Sequence, residues 1–302
     1  MVLTIIRALL AIGIAANALL VGRDVIKKGE KGLTVKEKAG FGIIGFVFNF
    51  LDTLGIGSFA PTMASLKLTK LVPDRLIPGT LNVSCAIAVA TEALIFITIV
   101  DVETFTLVSM LIAAIIGCVV GVNISAKLPE RALQLTMGTG LAVACFLMLA
   151  GKIGILPVGG EALGLEGTKL IIAVCANFVL GLLLPLGIGN YGPCMAIVFL
   201  LGMHPVVSFP IMMCSGAFVV LTSSITFTKT GNYHRTGSAI MCLCAVPGVF
   251  IAAYLVKSMP LTVLQWLVIV VCVYTSFTLF RAAMKKRPED GAVKTEKAEA
   301  SA

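Results

Sequence analysis

The sequence predicts an all-α polytopic membrane protein made of two inverted-topology repeats. Each repeat contains a broken helix, the broken (half-)helices meet near the midplane, and one extra N-terminal transmembrane helix precedes them. Three observations lead there. First, the 302 residues are 58% hydrophobic and 13% charged with mean hydropathy +1.05, more apolar surface than a soluble domain of ordinary proportions can bury. Second, Gly55-Ile56-Gly57-Ser58-Phe59-Ala60-Pro61 returns as Gly187-Ile188-Gly189-Asn190-Tyr191-Gly192-Pro193, an offset of 132 (187 − 55) that Pro73/Pro205 and Pro78/Pro210 also keep. Leu128-Pro129 and Leu133-Gln134 return as Met259-Pro260 and Leu264-Gln265 at an offset of 131, so one residue is lost in between. The chain is therefore an internal duplication over residues 39–150 and 168–284. Third, the net charge of +8, which in a soluble protein would suggest nucleic acid, is spread through the short breaks between apolar runs. That is the pattern of membrane topology, so no nucleic-acid partner is expected.

Residues 2–21 form an apolar run broken only by Arg7, read as a transmembrane helix. The alternative is a signal peptide cut after Ala16-Asn17-Ala18, but basic residues follow the run more heavily than they precede it. Arg23, Lys27, Lys28, Lys31, Lys36 and Lys38 hold the next loop in the cytoplasm and the N-terminus outside, so residues 1–38 are a helix plus a cytoplasmic loop.

The first repeat opens with residues 39–54, short for a span, and residues 61–68, which at about 1.5 Å per residue reach only about 12 Å. The second piece is thus a half-helix, returning to a cytoplasmic side marked by Lys67, Lys70 and Arg75. Residues 79–100 go out to Asp101 and Glu103, 104–125 return to Lys127 and Arg131, and 132–150 go out again. The glycine-rich 151–167 is an outer loop, from which the second repeat starts on the opposite side. Residues 168–186, the second break and the half-helix 193–201 follow. Residues 206–226 cross inward, 238–256 outward and 261–280 inward, and 285–302 read as a disordered cytoplasmic tail.

Inverted repeats with helices broken at matching places are a sequence signature of secondary transporters, whose substrate lies where the breaks meet. Freed backbone amides at such breaks must be buried in protein or face a wet cavity. At the start of a half-helix they point outward with the positive end of the dipole, which suits a small anion. The expected substrate-binding residues are Gly55, Gly57, Ser58 and Thr62 in the first repeat, with Asn82 from the following span. In the second repeat they are Gly187, Gly189, Asn190, Tyr191 and Cys194. The plainer reading of Ser58 and Asn190 is that they cap the half-helices, with Pro61 and Pro193 near the first turn. Phe59 and Tyr191 match each other as gating or packing aromatics, while Asn49, Thr53, Ser84, Asn177 and Ser215 add polar atoms at comparable depth.

Asp52 and Glu92 are carboxylates inside apolar segments, a placement costing about 3 kcal/mol for a charge at the bilayer centre, and so are proton-coupling candidates. Neither has an acidic twin, since the positions 132 later are Leu184 and Ser224. The alternative is that each is a protonated or snorkelling structural acid. His204 reads as an ordinary interfacial histidine, and Trp266, Tyr254 and Tyr274 as belt or packing aromatics. The nine cysteines lie in apolar segments without metal-ligand spacing, so neither disulfide, metal nor cofactor is expected.

Through its paired GIGSFAP and GIGNYGP motifs and the repeated Leu/Met-Pro and Leu-Gln pairs, the chain resembles the TauE/SafE family of sulfite exporters over nearly its whole length. The resemblance implies a bacterial inner-membrane permease moving sulfite, sulfoacetate or another small sulfur-containing or organic anion, often outward. The motifs here are poorer in glycine than the family's commonly are, and Ser58 against Asn190 makes the two halves unequal. A channel or a permease for another small organic anion or metabolite is the competing reading. An intramembrane enzyme using Ser58 as nucleophile lacks a Lys or His in a neighbouring span to act as its base. The partners expected are a small anionic substrate and the lipid bilayer, with the oligomeric state left open and a homodimer among the options.

Overall fold

In a computed structural model the chain is described over residues 2–124, 130–153, 160–183 and 190–284. The expected tail and both glycines of the second break, Gly187 and Gly189, lie outside the described residues. Eleven α-helices run through the described residues: α1 (Val2–Lys28), α2 (Val35–Thr53), α3 (Phe59–Thr69), α4 (Ile77–Ile99), α5 (Thr104–Ile124), α6 (Glu130–Lys152), α7 (Gly167–Leu183), α8 (Tyr191–Leu200), α9 (Ser208–Thr230), α10 (Arg235–Ser258) and α11 (Leu261–Met284). Among them, α1, α4, α10 and, with small differences at their ends, α9 and α11 are long and apolar enough to cross a membrane.

Local chemistry sets the ends. α1 runs to Lys28, past the apolar run, and finishes on Lys27 and Lys28, whose charge suits the negative end of the dipole. α2 starts four residues before the apolar run because Thr34 and Glu37 form a capping box: Thr34 Oγ1 accepts from Glu37 N at 3.3 Å and Glu37 Oε2 accepts from Thr34 N at 2.7 Å. Both half-helices are short, 11 residues in α3 and 10 in α8.

The most extensive helix pairs all join the first half to the second: α2 with α10, α4 with α9 and with α10, α5 with α7, and α6 with α11. Individual contacts exchange under the sequence offsets. Gly248 packs on the Phe46 carbonyl and Gly117 on the Phe178 carbonyl, and these pairs are equivalent (178 − 46 = 132, 248 − 117 = 131). Gly45 likewise lies against the Met241 carbonyl, and at the equivalent place Asn177 Nδ2 donates to Met110 O at 2.7 Å. Glycine lets two helix backbones touch, and small residues at crossings are how helices associate where lipid supplies no hydrophobic drive between them.

The connections gather at two ends of the bundle. At one end, Gly79 at the start of α4 meets the Asn232 carbonyl, His234 N donates to Thr80 Oγ1 at 3.0 Å, and Leu71 packs on Gly40. The α1–α2 loop joins them: Arg235 N and Thr236 N donate to the Glu30 carboxylate at 3.1 and 2.7 Å, and Asp24 Oδ2 accepts from Arg235 Nε and the Tyr233 hydroxyl, both at 2.8 Å. Burial alone would push Glu30 up, but the Thr236 and Arg235 amides, with His234 beside them, hold it below the ordinary glutamate value.

The other end lies about 34 Å along the 23 residues of α4. There Glu103 N donates to Leu163 O at 2.8 Å and His204 N to Ala162 O at 2.9 Å, and Gly160 touches Gly202. Arg7 donates to Ile97 O at 2.9 Å, placing a cation on the carbonyl end of α4.

Candidate functional site

The first break is a folded-back loop. α2 ends at Thr53, after which Gly55 N donates to Asp52 O at 2.7 Å and Ile56 N to Leu51 O at 3.1 Å. Gly55 and Gly57 both adopt φ +89°, where an L side chain is strained, and the methyl of Met195 on α8 occupies the place a Gly55 side chain would need. The return is tight enough for Ser58 N to donate to Asp52 Oδ1, six residues back, at 2.6 Å. Both residues are buried, and the Ser58 hydroxyl lies 3.9 Å from Cys85 Sγ on α4.

Ser58 and Asn190 occupy the N-cap positions of α3 and α8, yet neither side chain caps its helix. The capping of the plainer reading is therefore absent: the third helical positions, Pro61 and Pro193, have no amide proton for a cap to accept. Thr62 N donates to Ser58 O at 3.0 Å, and the equivalent Cys194 N to Asn190 O at 2.9 Å. Asn190 and Cys194 are both buried in the interior.

A second group continues from the first. Thr53 Oγ1 stands 2.8 Å from Asn49 O and 2.8 Å from Glu92 Oε1. A hydroxyl has one proton, so both contacts are hydrogen bonds when Thr53 donates to Asn49 O and a protonated Glu92 donates to Thr53. Glu92 Oε2 and Thr62 Oγ1 are buried without a hydrogen-bond partner.

From the other half, the Tyr191 hydroxyl meets the Asp52 carboxylate. Phe59, its sequence counterpart, is 36% exposed, so one of the paired aromatics joins the polar cluster and the other does not. The structure thus brings Gly55, Gly57, Ser58, Asp52, Glu92 and Tyr191 to one place. It does not bring in Asn82, whose Nδ2 donates to Pro78 O of its own helix at 2.9 Å. Thr53 and Asn49 take a larger part than depth alone suggested, and Cys85 joins with no signal in the sequence beyond its apolar surroundings.

Outside the cluster, His204 accepts from Val206 N at 3.2 Å and caps a single turn, Pro205–Val207. Burial holds it below the usual histidine value against the opposing pull of Glu161. All nine cysteines are free, and Cys175 on α7 is exposed. Tyr254 and Trp266 are exposed, as lipid-facing aromatics would be.

Residues 170–301 match the family described as Sulfite exporter TauE/SafE. The resemblance read from the glycine motifs is therefore borne out over the second half of the chain. No curated protein and no solved structure matches the chain.

Proposed function

With its second half matched to the TauE/SafE sulfite exporter family, we propose that this chain is a multi-pass secondary transporter of a small sulfur-containing anion such as sulfite or sulfoacetate. It works by alternating access of two inverted halves and exports in the sense of the family's description. The carrying observation is the Ser58 amide on the Asp52 carboxylate: the freed N-terminus of the first half-helix holds a negative oxygen where lipid-depth backbone would otherwise be unpaired.

Three further observations support the reading. The exchange of equivalent contacts, Gly248–Phe46 for Gly117–Phe178, is what a two-fold axis between the halves would produce. α2 starts at the Thr80–His234 end and α7 at the Glu103–Leu163 end, as inverted halves require. The basic loops 23–38 and 67–75 share the first end, which we assign to the cytoplasm with the N-terminus outside and the C-terminus inside. Asp52 and Glu92 are the groups through which protons would couple.

Purified protein in liposomes should move labelled sulfite or sulfoacetate in a saturable, gradient-dependent way, and Ser58→Ala with Asn190→Ala should abolish that flux. Unaltered flux in the double variant would remove the paired half-helix site. Non-saturable flux would favour the channel reading.

A further inference from the structure

We infer that Asp52 is a tethered competitor for the transported anion: its carboxylate holds the amide of the first half-helix in the substrate's absence and gives that amide up on taking a proton. The inference rests on the reading of the breaks as an anion site and adds how proton and anion are linked there.

The geometry is specific to this position. A charge-assisted bond of 2.6 Å joins Asp52 Oδ1 to Ser58 N, and two glycines at φ +89° exist to turn the chain sharply enough to make it. One turn further, Thr62 Oγ1 is fully buried with no partner. A buried hydroxyl without an acceptor, one helical turn on from an amide whose acceptor is the protein's own carboxylate, describes a donor set larger than the tether can serve. An anion entering there would be served by both donors. The second half has no such tether, since the residue equivalent to Asp52 is Leu184.

The exchange balances in charge and atoms. The carboxylate of Asp52 on Ser58 N–H, plus one proton and one anion, becomes the carboxylic acid of Asp52 with the anion on Ser58 N–H. No covalent bond other than O–H forms or breaks, and the proton removes the charge of Asp52, so the site afterwards carries only the charge of the bound anion. Two anions cannot share the amide at close range, which forces the order. The groups facing Asp52 are the Tyr191 hydroxyl from α8 and Glu92 and Cys85 from α4; α10, packed along α2, adds no ionisable group acting on it among the described residues. Tyr191 can donate to Asp52 in either state, so the acid is not left unpaired when it lets go of Ser58. Binding therefore strengthens as pH falls, and net direction follows the product of the anion and proton gradients.

The test uses the full chain in weakly buffered detergent near pH 7, titrated with sulfoacetate, whose charge is constant between about pH 6 and pH 8. Anion binding is read from the thermal midpoint and proton uptake from an indicator dye. Wild type should take up about one proton per anion, with affinity rising up to about tenfold per pH unit of acidification. Asp52→Asn should bind at least as tightly, without pH dependence and without proton uptake. Saturable binding in wild type with no proton taken up overturns the inference even if the variant fails to fold. Proton uptake surviving in Asp52→Asn overturns it too, leaving the anion site intact. If neither sulfoacetate nor sulfite shifts the wild-type midpoint, the anion-site reading falls, and this inference with it.

Discussion

Thr53 Oγ1 is 2.8 Å from Glu92 Oε1 and equally close to the carbonyl of Asn49, so each contact is a full hydrogen bond when Thr53 donates to Asn49 O and Glu92 brings its own proton. A glutamine at this position can donate to Thr53 in the same way. Glu92→Gln is therefore expected to leave the unfolding free energy within about 1 kcal/mol of wild type, whereas a carboxylate needing its charge would cost several kcal/mol to replace. Infrared difference spectra should show a protonated carboxyl band at neutral pH that the variant lacks.

The two glycines of the first break share a φ of +89° but not a neighbourhood. A side chain at Gly57 meets nothing within 4 Å, while one at Gly55 collides with Met195. Gly57→Ala should thus cost about 1 kcal/mol from backbone strain alone, and Gly55→Ala about 2 kcal/mol or more. In a Met195→Ala background, itself destabilised by the lost core side chain, Gly55→Ala should cost less than it does in wild type and Gly57→Ala the same, as read by thermal unfolding in detergent.

The end of α1 and the α1–α2 loop, through Asp24 and Glu30, are fastened to Tyr233 and to the start of α10 at Arg235 and Thr236. Because the folded-state value of Glu30 lies below its unfolded value, its contribution is present above the unfolded pKa and is lost as pH falls through the folded one. For this partly exposed carboxylate the stake is about 1 kcal/mol. Glu30→Gln should lower the midpoint by that much at neutral pH, and the difference from wild type should close on acidification below about pH 4.

The loops 67–75 and 202–206 lie at opposite ends of α4 through their neighbours Leu71–Gly40 and His204–Ala162. In right-side-out vesicles an impermeant maleimide should label His204→Cys and spare Lys70→Cys until the membrane is opened. Labelling of both from one side would contradict the assigned orientation.

The position of the first break was legible because Gly-Ile-Gly before Pro occurs twice in the chain and is visible without any structure. Helix existence was legible for the same reason that the membrane was: apolar runs of span length leave little choice. Helix ends were less so: α2 begins early because of the Thr34-x-x-Glu37 capping pattern, which the surrounding basic residues mask in the sequence. The role of Asp24 and Glu30 was hidden because their partners, Tyr233, Arg235 and Thr236, lie about 200 residues away. The partition of the polar residues could not be read either. Periodicity cannot say that Asn82 turns back on its own helix while Thr53, at similar depth, reaches an acid on the next one.

The interlocking of the halves has a consequence for biogenesis. α2 emerges with Asn49 and Asp52 already in it, but its main neighbour, α10, begins 200 residues later (235 − 35). At ribosomal speeds of roughly 5–20 residues per second, that helix waits about 10–40 seconds in the bilayer before the surface it was made for arrives. Gly45, which later lets the two backbones touch, leaves it with a bare groove during that interval, whereas Asp52 waits only for the Ser58 amide six residues on. Any insertase or holding factor acting on this chain must shelter the nascent first half until the second is delivered.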